Sequence, residues 1–279
     1  MVIFILMTAV FWNPVYAAPE AVKSTDGISI AYQVKGKGDT ALVFVHCWCC
    51  DKGYWDAQVP YFAGKYKVVT LDLAGHGESG LHRQEWTIKA YGEDVAAVVN
   101  ILHLKRVILI GHSMGGGVIA EAARLLPKQV IGLVGVDTFL NVELKYTREQ
   151  FDQFTAPMRK DFAKGARSFL AAVMFTPETD PQLKEKIISD MISAPPEVAL
   201  ASMEAGFKHD LPAVLDDVKV PVRCINADKF PTDIEAGKRH TVSFEVILMP
   251  GHGHFLYMED PKTFNRLLQK AINTLLSTL

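Results

Sequence analysis

Apolar residues fall along this chain in two alternating rhythms. Ala41 to Val45, Tyr66 to Leu71, Val107 to Ile110 and Val130 to Val136 are short continuous runs rich in β-branched residues. Such runs read as strands buried on both faces. Between them stand segments whose apolar residues recur every three or four positions, the pattern of a helix with one buried face. In Thr87 to His103 the stripe is Tyr91, Val95, Val98, Val99 and Leu102. After the glycines at 115–117 it is Val118, Ile119, Ala122, Ala123, Leu125 and Leu126. Tyr54 to Lys65 reads as a shorter helix. Ahead of all these, Ile28 to Val34 alternates with period two, which predicts a half-buried antiparallel strand, and Asp26-Gly27 before it predicts a hairpin turn. Strands alternating with helices over short links predict an α/β chain: a mostly parallel central sheet with helices on both faces.

The rhythm changes near residue 140. Residues 141–211 carry helical periodicity and no convincing strand, with helices expected over Arg148 to Phe162, Ala166 to Phe175, Pro181 to Ile192 and Pro196 to Phe207. Strands resume at Val222 to Ile225 and Phe244 to Met249, and an amphipathic helix over Pro261 to Leu276 closes the chain. This divides the chain into a core at 18–140, a helical insertion at 141–211 and the rest of the core at 212–279. An insertion there lies over the carboxyl ends of the strands, where open α/β sheets bind ligands. Its phenylalanines and methionines, Phe154, Phe162 and Met174 among them, favour a small molecule with an apolar group.

Composition adds little beyond exclusions. With 49% apolar and 22% charged residues the chain is globular. Lys and Arg number 29 against 31 Asp and Glu, with no basic run, so no nucleic-acid partner is expected. Residues 1–17 read as a secretory signal peptide: an apolar run from Val2 to Trp12, a break at Pro14, and small residues in Val15-Tyr16-Ala17. Export to the periplasm or medium follows, although no Lys or Arg precedes Lys23. The run is about 11 residues, short for a bilayer, so no stable membrane span is expected after processing. Of the four cysteines, Cys47, Cys49 and Cys50 crowd together, and with Cys224 they read as small buried residues rather than a disulfide framework or zinc set.

The chemistry concentrates at Gly111-His112-Ser113-Met114-Gly115, a G-x-S-x-G between a predicted strand and a predicted helix. A sharp turn there lifts the hydroxyl clear of the sheet, and the flanking glycines leave room for it. A serine needs a base beside it to act as a nucleophile. His112 is expected to point away from the site, His76 to be structural, and His252 to be a poorer candidate base than His254. No His, Asp and Glu group has a metal-ligand spacing, so neither metal nor cofactor is expected.

Taken in order, Val45-His46-Cys47-Trp48, Asp72-Leu73-Ala74-Gly75-His76-Gly77-Glu78-Ser79, the Ser113 turn, and Gly253-His254-Phe255 followed by Glu259-Asp260-Pro261 resemble an α/β-hydrolase-fold serine hydrolase with a helical cap. The resemblance spans about Ala21 to the C-terminus. It implies that Ser113 attacks a carbonyl carbon, that His254 is the base, and that backbone N–H groups of Trp48 and Met114 form the oxyanion hole. For the acid it implies Asp228, after the strand at 222–225, with Asp137 in Val136-Asp137-Thr138 as the alternative. Two departures stand out. Cys47 replaces a usual glycine, which matters if its backbone needs a positive φ. The segment Asn226-Ala227-Asp228-Lys229-Phe230-Pro231 lacks the family's glycine, and a gapless alignment puts Phe230 at the acid position.

The activity implied is cleavage of a carboxylic ester, lactone or thioester through an acyl-serine. Carbon–carbon bond hydrolysis and perhydrolysis use the same residues and stay open. A non-catalytic binding protein of the same fold is the reading from another class.

Overall fold

The computed structural model describes residues 20–277; the expected signal peptide at 1–17 lies outside the described residues. Eight strands form one sheet: β1 (Glu20–Lys23), β2 (Ser29–Lys35), β3 (Ala41–Val45), β4 (Lys67–Leu71), β5 (Val107–His112), β6 (Val130–Val136), β7 (Val222–Asn226) and β8 (Phe244–Leu248). Their order is β1-β2-β4-β3-β5-β6-β7-β8. β1 and β2 pair antiparallel, as do β2 and β4, while the pairs from β4 through β8 are parallel. The Asp26-Gly27 turn joins β1 to β2, with Ser24 N–H donating to Ile28 O at 2.8 Å.

The period of two explains why the central strands are apolar throughout. Val43, Val45, Val69, Leu71 and Leu109 point to one face; Leu42, Phe44, Val68, Ile108 and Ile110 point to the other. The first face packs against α2 (Ile88–Ile101) and α3 (Met114–Leu125) through Tyr91, Val95, Val118 and Ile119. The second packs against α11 (Pro261–Ser277) through Phe264, Leu268, Ile272 and Leu275. The expected helix over Tyr54 to Lys65 is instead a 3-10 turn at Lys52–Trp55 and a one-turn α1 (Val59–Phe62), which carries a proline in its first turn.

Between β6 and β7 lie α4 (Arg148–Lys160), α5 (Phe162–Val173), α6 (Pro181–Ile192), α7 (Pro196–Lys208) and α8 (Leu211–Asp217). A Thr147/Gln150 capping box starts α4, and Asp161 and Asp180 cap α5 and α6. These helices grip the loops at the strand carboxyl ends. Trp48 Nε1 donates to Ala199 O of α7 at 2.8 Å, and Lys229 Nζ donates to Val173 O and Phe175 O, both at 2.7 Å. The short α9 (Ile234–Arg239) and α10 (Leu256–Glu259) complete the described helices. Among the described residues no helix is long and apolar enough to cross a membrane.

Candidate active site

Ser113 sits where β5 turns into α3, with φ 53° and ψ −115°. An L-residue pays strain of about 1–3 kcal/mol in such a conformation, so its neighbours must hold it there. Ser113 N–H donates to Val136 O at 3.0 Å, and Ser113 O accepts from Thr138 Oγ1 at 2.9 Å and from Gly116 N–H at 2.8 Å. Gly115 allows the first turn of α3 to lie against the exit of β3: a Cβ there would stand 2.8 Å from both Val45 O and His46 O. At Gly116 a Cβ would stand 2.4 Å from Thr138 Oγ1, the hydroxyl that braces Ser113. Gly116→Ala is therefore expected to cost about 1–3 kcal/mol by overpacking, read as a lower urea midpoint at unchanged slope.

His254 lies in the loop after β8. Its backbone N–H donates to Met174 O at 2.7 Å, so the end of α5 helps to hold it. Its Nδ1–H donates to Asp137 Oδ2 at 2.6 Å, while Nε2 is buried and has no hydrogen-bond partner among the described residues. The carboxylate at His254 is thus Asp137, the alternative, and not Asp228. Asp228 is exposed, and its Oδ1 accepts from Gly251 N–H at 2.9 Å. The physical reason lies in Asn226, the last residue of β7. Its amide bonds to Thr138 N–H and O at 3.3 and 3.2 Å and ties the loop after β6 to the end of β7. Ala227 N–H then donates to Asp137 Oδ1 at 2.9 Å, leaving Oδ2 for His254. Asp137 itself adopts a positive φ of 42°. Nothing in the sequence singled out Asn226 or Thr138; only their contacts reveal them.

The loop after β3 carries Cys47 and Trp48. The positive φ in this loop falls at Cys49, at 55°, and not at Cys47, so the Cys47 side chain strains no backbone. His46 Nε2 accepts from Leu73 N–H at 3.0 Å, which leaves its Nδ1–H to donate to Cys47 O at 2.7 Å. The backbone N–H groups of Trp48 and Met114 have no acceptor among the described residues.

Of the other histidines, His112 donates from Nε2 to His254 O at 2.9 Å and accepts at Nδ1 from Tyr257 OH at 3.3 Å. Burial lowers its pKa, so it is a neutral brace under the His254 loop. Burial also lowers His76, to about 3, while its Nδ1 bonds to Ala74 O at 2.9 Å. His252 bonds to Pro250 O at 2.8 Å and makes no hydrogen bond to a carboxylate among the described residues.

The structure also gathers a group that the spacing of residues in sequence did not suggest. The ligand atoms of Cys47, His112 and His254 lie within 4.8 Å of one another. They could hold a metal ion only if His112 gave up one of its two hydrogen bonds. Burial opposes charge on His254, but its hydrogen bond to Asp137 and the sulfur of Cys47 outweigh it and raise its pKa to about 10. The Cys47 thiol is driven the other way. Burial opposes its ionisation, but Cys50, His112 and His254 bring it well below the usual thiol range. Burial instead raises Cys49, Cys50 and Cys224.

Two surface concavities of about 320 and 600 Å³ lie elsewhere, one beside His209 and Glu121, the other beside Arg83 and Glu93. Neither is lined by Ser113, Asp137 or His254.

Comparison with known proteins places the chain. The alpha/beta hydrolase family model matches residues 42–267, and the chain belongs to that family. It is an α/β-hydrolase enzyme. It is 25% identical over 268 residues to 3-oxoadipate enol-lactonase 2 of Acinetobacter baylyi, covering 93% of this chain and 98% of that one. It is 28% identical over 244 residues to the dihydrolipoyllysine-residue acetyltransferase component of the acetoin cleaving system of Pseudomonas putida. That match covers 84% of this chain but only 64% of the relative. Among solved structures, a thermophilic esterase from Thermogutta terrifontis superposes with a TM-score of 0.80 at 23% identity, covering 93% of this chain and 99% of that one.

Proposed function

We propose that this enzyme cleaves a carboxylic ester or lactone through an acyl intermediate on Ser113. The observation that carries the reading is the 2.6 Å bond from His254 to Asp137, with the His254 ring 4.5 Å from that of His112, the residue before a serine held in a strained strand-to-helix turn. In this reading Ser113 Oγ attacks the carbonyl carbon while His254 Nε2 takes its proton. Asp137 fixes the Nδ1–H tautomer and steadies the imidazolium. The N–H groups of Trp48 and Met114 receive the developing oxyanion, a contribution of about 3 kcal/mol for a well-placed donor. His254 then gives its proton to the leaving alcohol, and water repeats the sequence to release the acid. Residues 141–211 act as a cap whose apolar residues receive a small acyl or alkyl group. The enol-lactonase and esterase relatives favour ester and lactone substrates over carbon–carbon cleavage.

The test is to incubate the purified chain with p-nitrophenyl acetate and butyrate, and separately with a serine-directed fluorophosphonate. Turnover of both esters, with the phosphonate found by peptide mass on Ser113 alone, is the expected result. A chain that turns over neither ester and leaves Ser113 unlabelled rules the reading out.

A further inference from the structure

Cys47, Trp48, Cys49 and Cys50 place two cysteines at a C-x-x-C spacing, with Cys47 directly after the strand that leads into the site. The structure gives Cys47 a specific setting. It is 1% exposed and belongs to the same cluster as His254, whose Nδ1 is committed to Asp137 and whose Nε2 is buried without a partner. Cys50 N–H donates to Cys47 O at 3.2 Å, closing a tight turn, and the Cys50 thiol donates to Trp48 O at 3.5 Å. Sulfur, imidazole and carboxylate thus stand in the order that activates a thiol.

We infer that Cys47 is a second nucleophile served by His254 and Asp137, one that accepts an acyl group from an activated ester or thioester and holds it as a thioester. This rests on the proposed roles of His254 and Asp137, and not on that of Ser113. The thiolate attacks the carbonyl carbon and forms a C–S bond. The C–O or C–S bond to the leaving group then breaks, and that group takes the proton from His254 Nε2. Water attacks the thioester, His254 Nε2 receives its proton, the C–S bond breaks, and the thiolate–imidazolium pair returns. Of the four thiols Cys47 alone is held toward the thiolate, while the other three are held as thiols by burial. Because Cys47 is buried, acyl transfer to it needs the helical insertion to part from the loop, and an acetyl group enters more readily than a longer one.

The experiment exposes three full-length chains to p-nitrophenyl acetate: the parent, Ser113→Ala, and Ser113→Ala with Cys47→Ala. Intact and peptide mass spectrometry then locate the acetyl group. In Ser113→Ala one acetyl group per chain is expected on Cys47, with a matching burst of nitrophenolate; the double variant shows neither. A parent that turns over the ester, beside a Ser113→Ala chain with no acetyl on Cys47, overturns this inference and leaves the serine reading standing. Acetyl on Cys47 in a parent that shows no turnover does the reverse. A second measurement needs no variant at Ser113. Iodoacetamide at pH 6 is expected to alkylate Cys47 of the parent at least about tenfold faster than the other three cysteines, and His254→Gln to remove that advantage. Equal rates at all four thiols overturn the inference.

Discussion

Replacing Ser113 with alanine is expected to lower kcat/KM for p-nitrophenyl butyrate at least about a thousandfold, with little change in the thermal midpoint. Both halves of the expectation come from the local structure. The strained backbone at Ser113 is held by Val136 O, Thr138 Oγ1 and Gly116 N–H, and all three bond to its main chain. An alanine keeps those bonds and suffers the same strain, so the fold loses only a hydroxyl. Chemistry loses the atom that forms the acyl bond. Slow turnover through Cys47 sets a floor, separable from Ser113 chemistry because it appears as a stoichiometric burst followed by weak steady hydrolysis. A fall of less than about tenfold places the principal nucleophile elsewhere and removes the basis of the serine mechanism.

The parts of the chain that follow a period were legible before the structure. The strands β3, β5 and β6 are continuous apolar runs because both faces are covered. The stripes on α2, α3 and α11 fix which side each helix buries. The Ser113 turn was legible because the glycines at 111 and 115 serve a local need: the Gly115 position faces carbonyls of the neighbouring strand at a distance that no Cβ tolerates. The acid was not legible in this way. Asp137 and Asp228 both follow strands in polar turns, and their local sequences are equivalent as far as a carboxylate is concerned. The choice is made by Asn226, which ties two loops 88 residues apart in sequence. The setting of Cys47 was hidden for the same reason. It depends on the meeting of the β3 loop with the His254 loop, more than 200 residues later, and no pattern of neighbours in sequence carries that information. The one available clue, the C-x-x-C spacing, is blind to the histidine.

The choice of acid leads to the second large effect. Asp137→Asn is expected to lower kcat/KM by about 10³–10⁴, whereas Asp228→Asn leaves it within about twofold of the parent, as expected for a side chain outside the reacting network. An asparagine at 137 can present its NH₂ to Nδ1 and favour the wrong tautomer of His254, and in either orientation it cannot balance the imidazolium. Among the described residues the Asp228 carboxylate bonds only to Gly251 N–H, in an exposed loop, and its loss leaves His254 untouched. Measuring both across pH adds a sign to the comparison. The raised pKa of His254, about 10, means that its base form grows with pH through the alkaline range, and kcat/KM of the parent rises with it. Removing the Asp137 charge lowers that pKa, so the residual activity of Asp137→Asn reaches its plateau at a lower pH. Stability carries the matching signature. A proton held more tightly in the folded state than at the ordinary histidine value of 6.5 stabilises the fold fully below that pH, and the contribution fades as pH rises through about 10. The stability deficit of Asp137→Asn relative to the parent should therefore narrow on going from neutral to strongly alkaline solution. A deficit that widens, or a rate loss shared equally by Asp228→Asn, assigns the pairing with His254 to a different carboxylate.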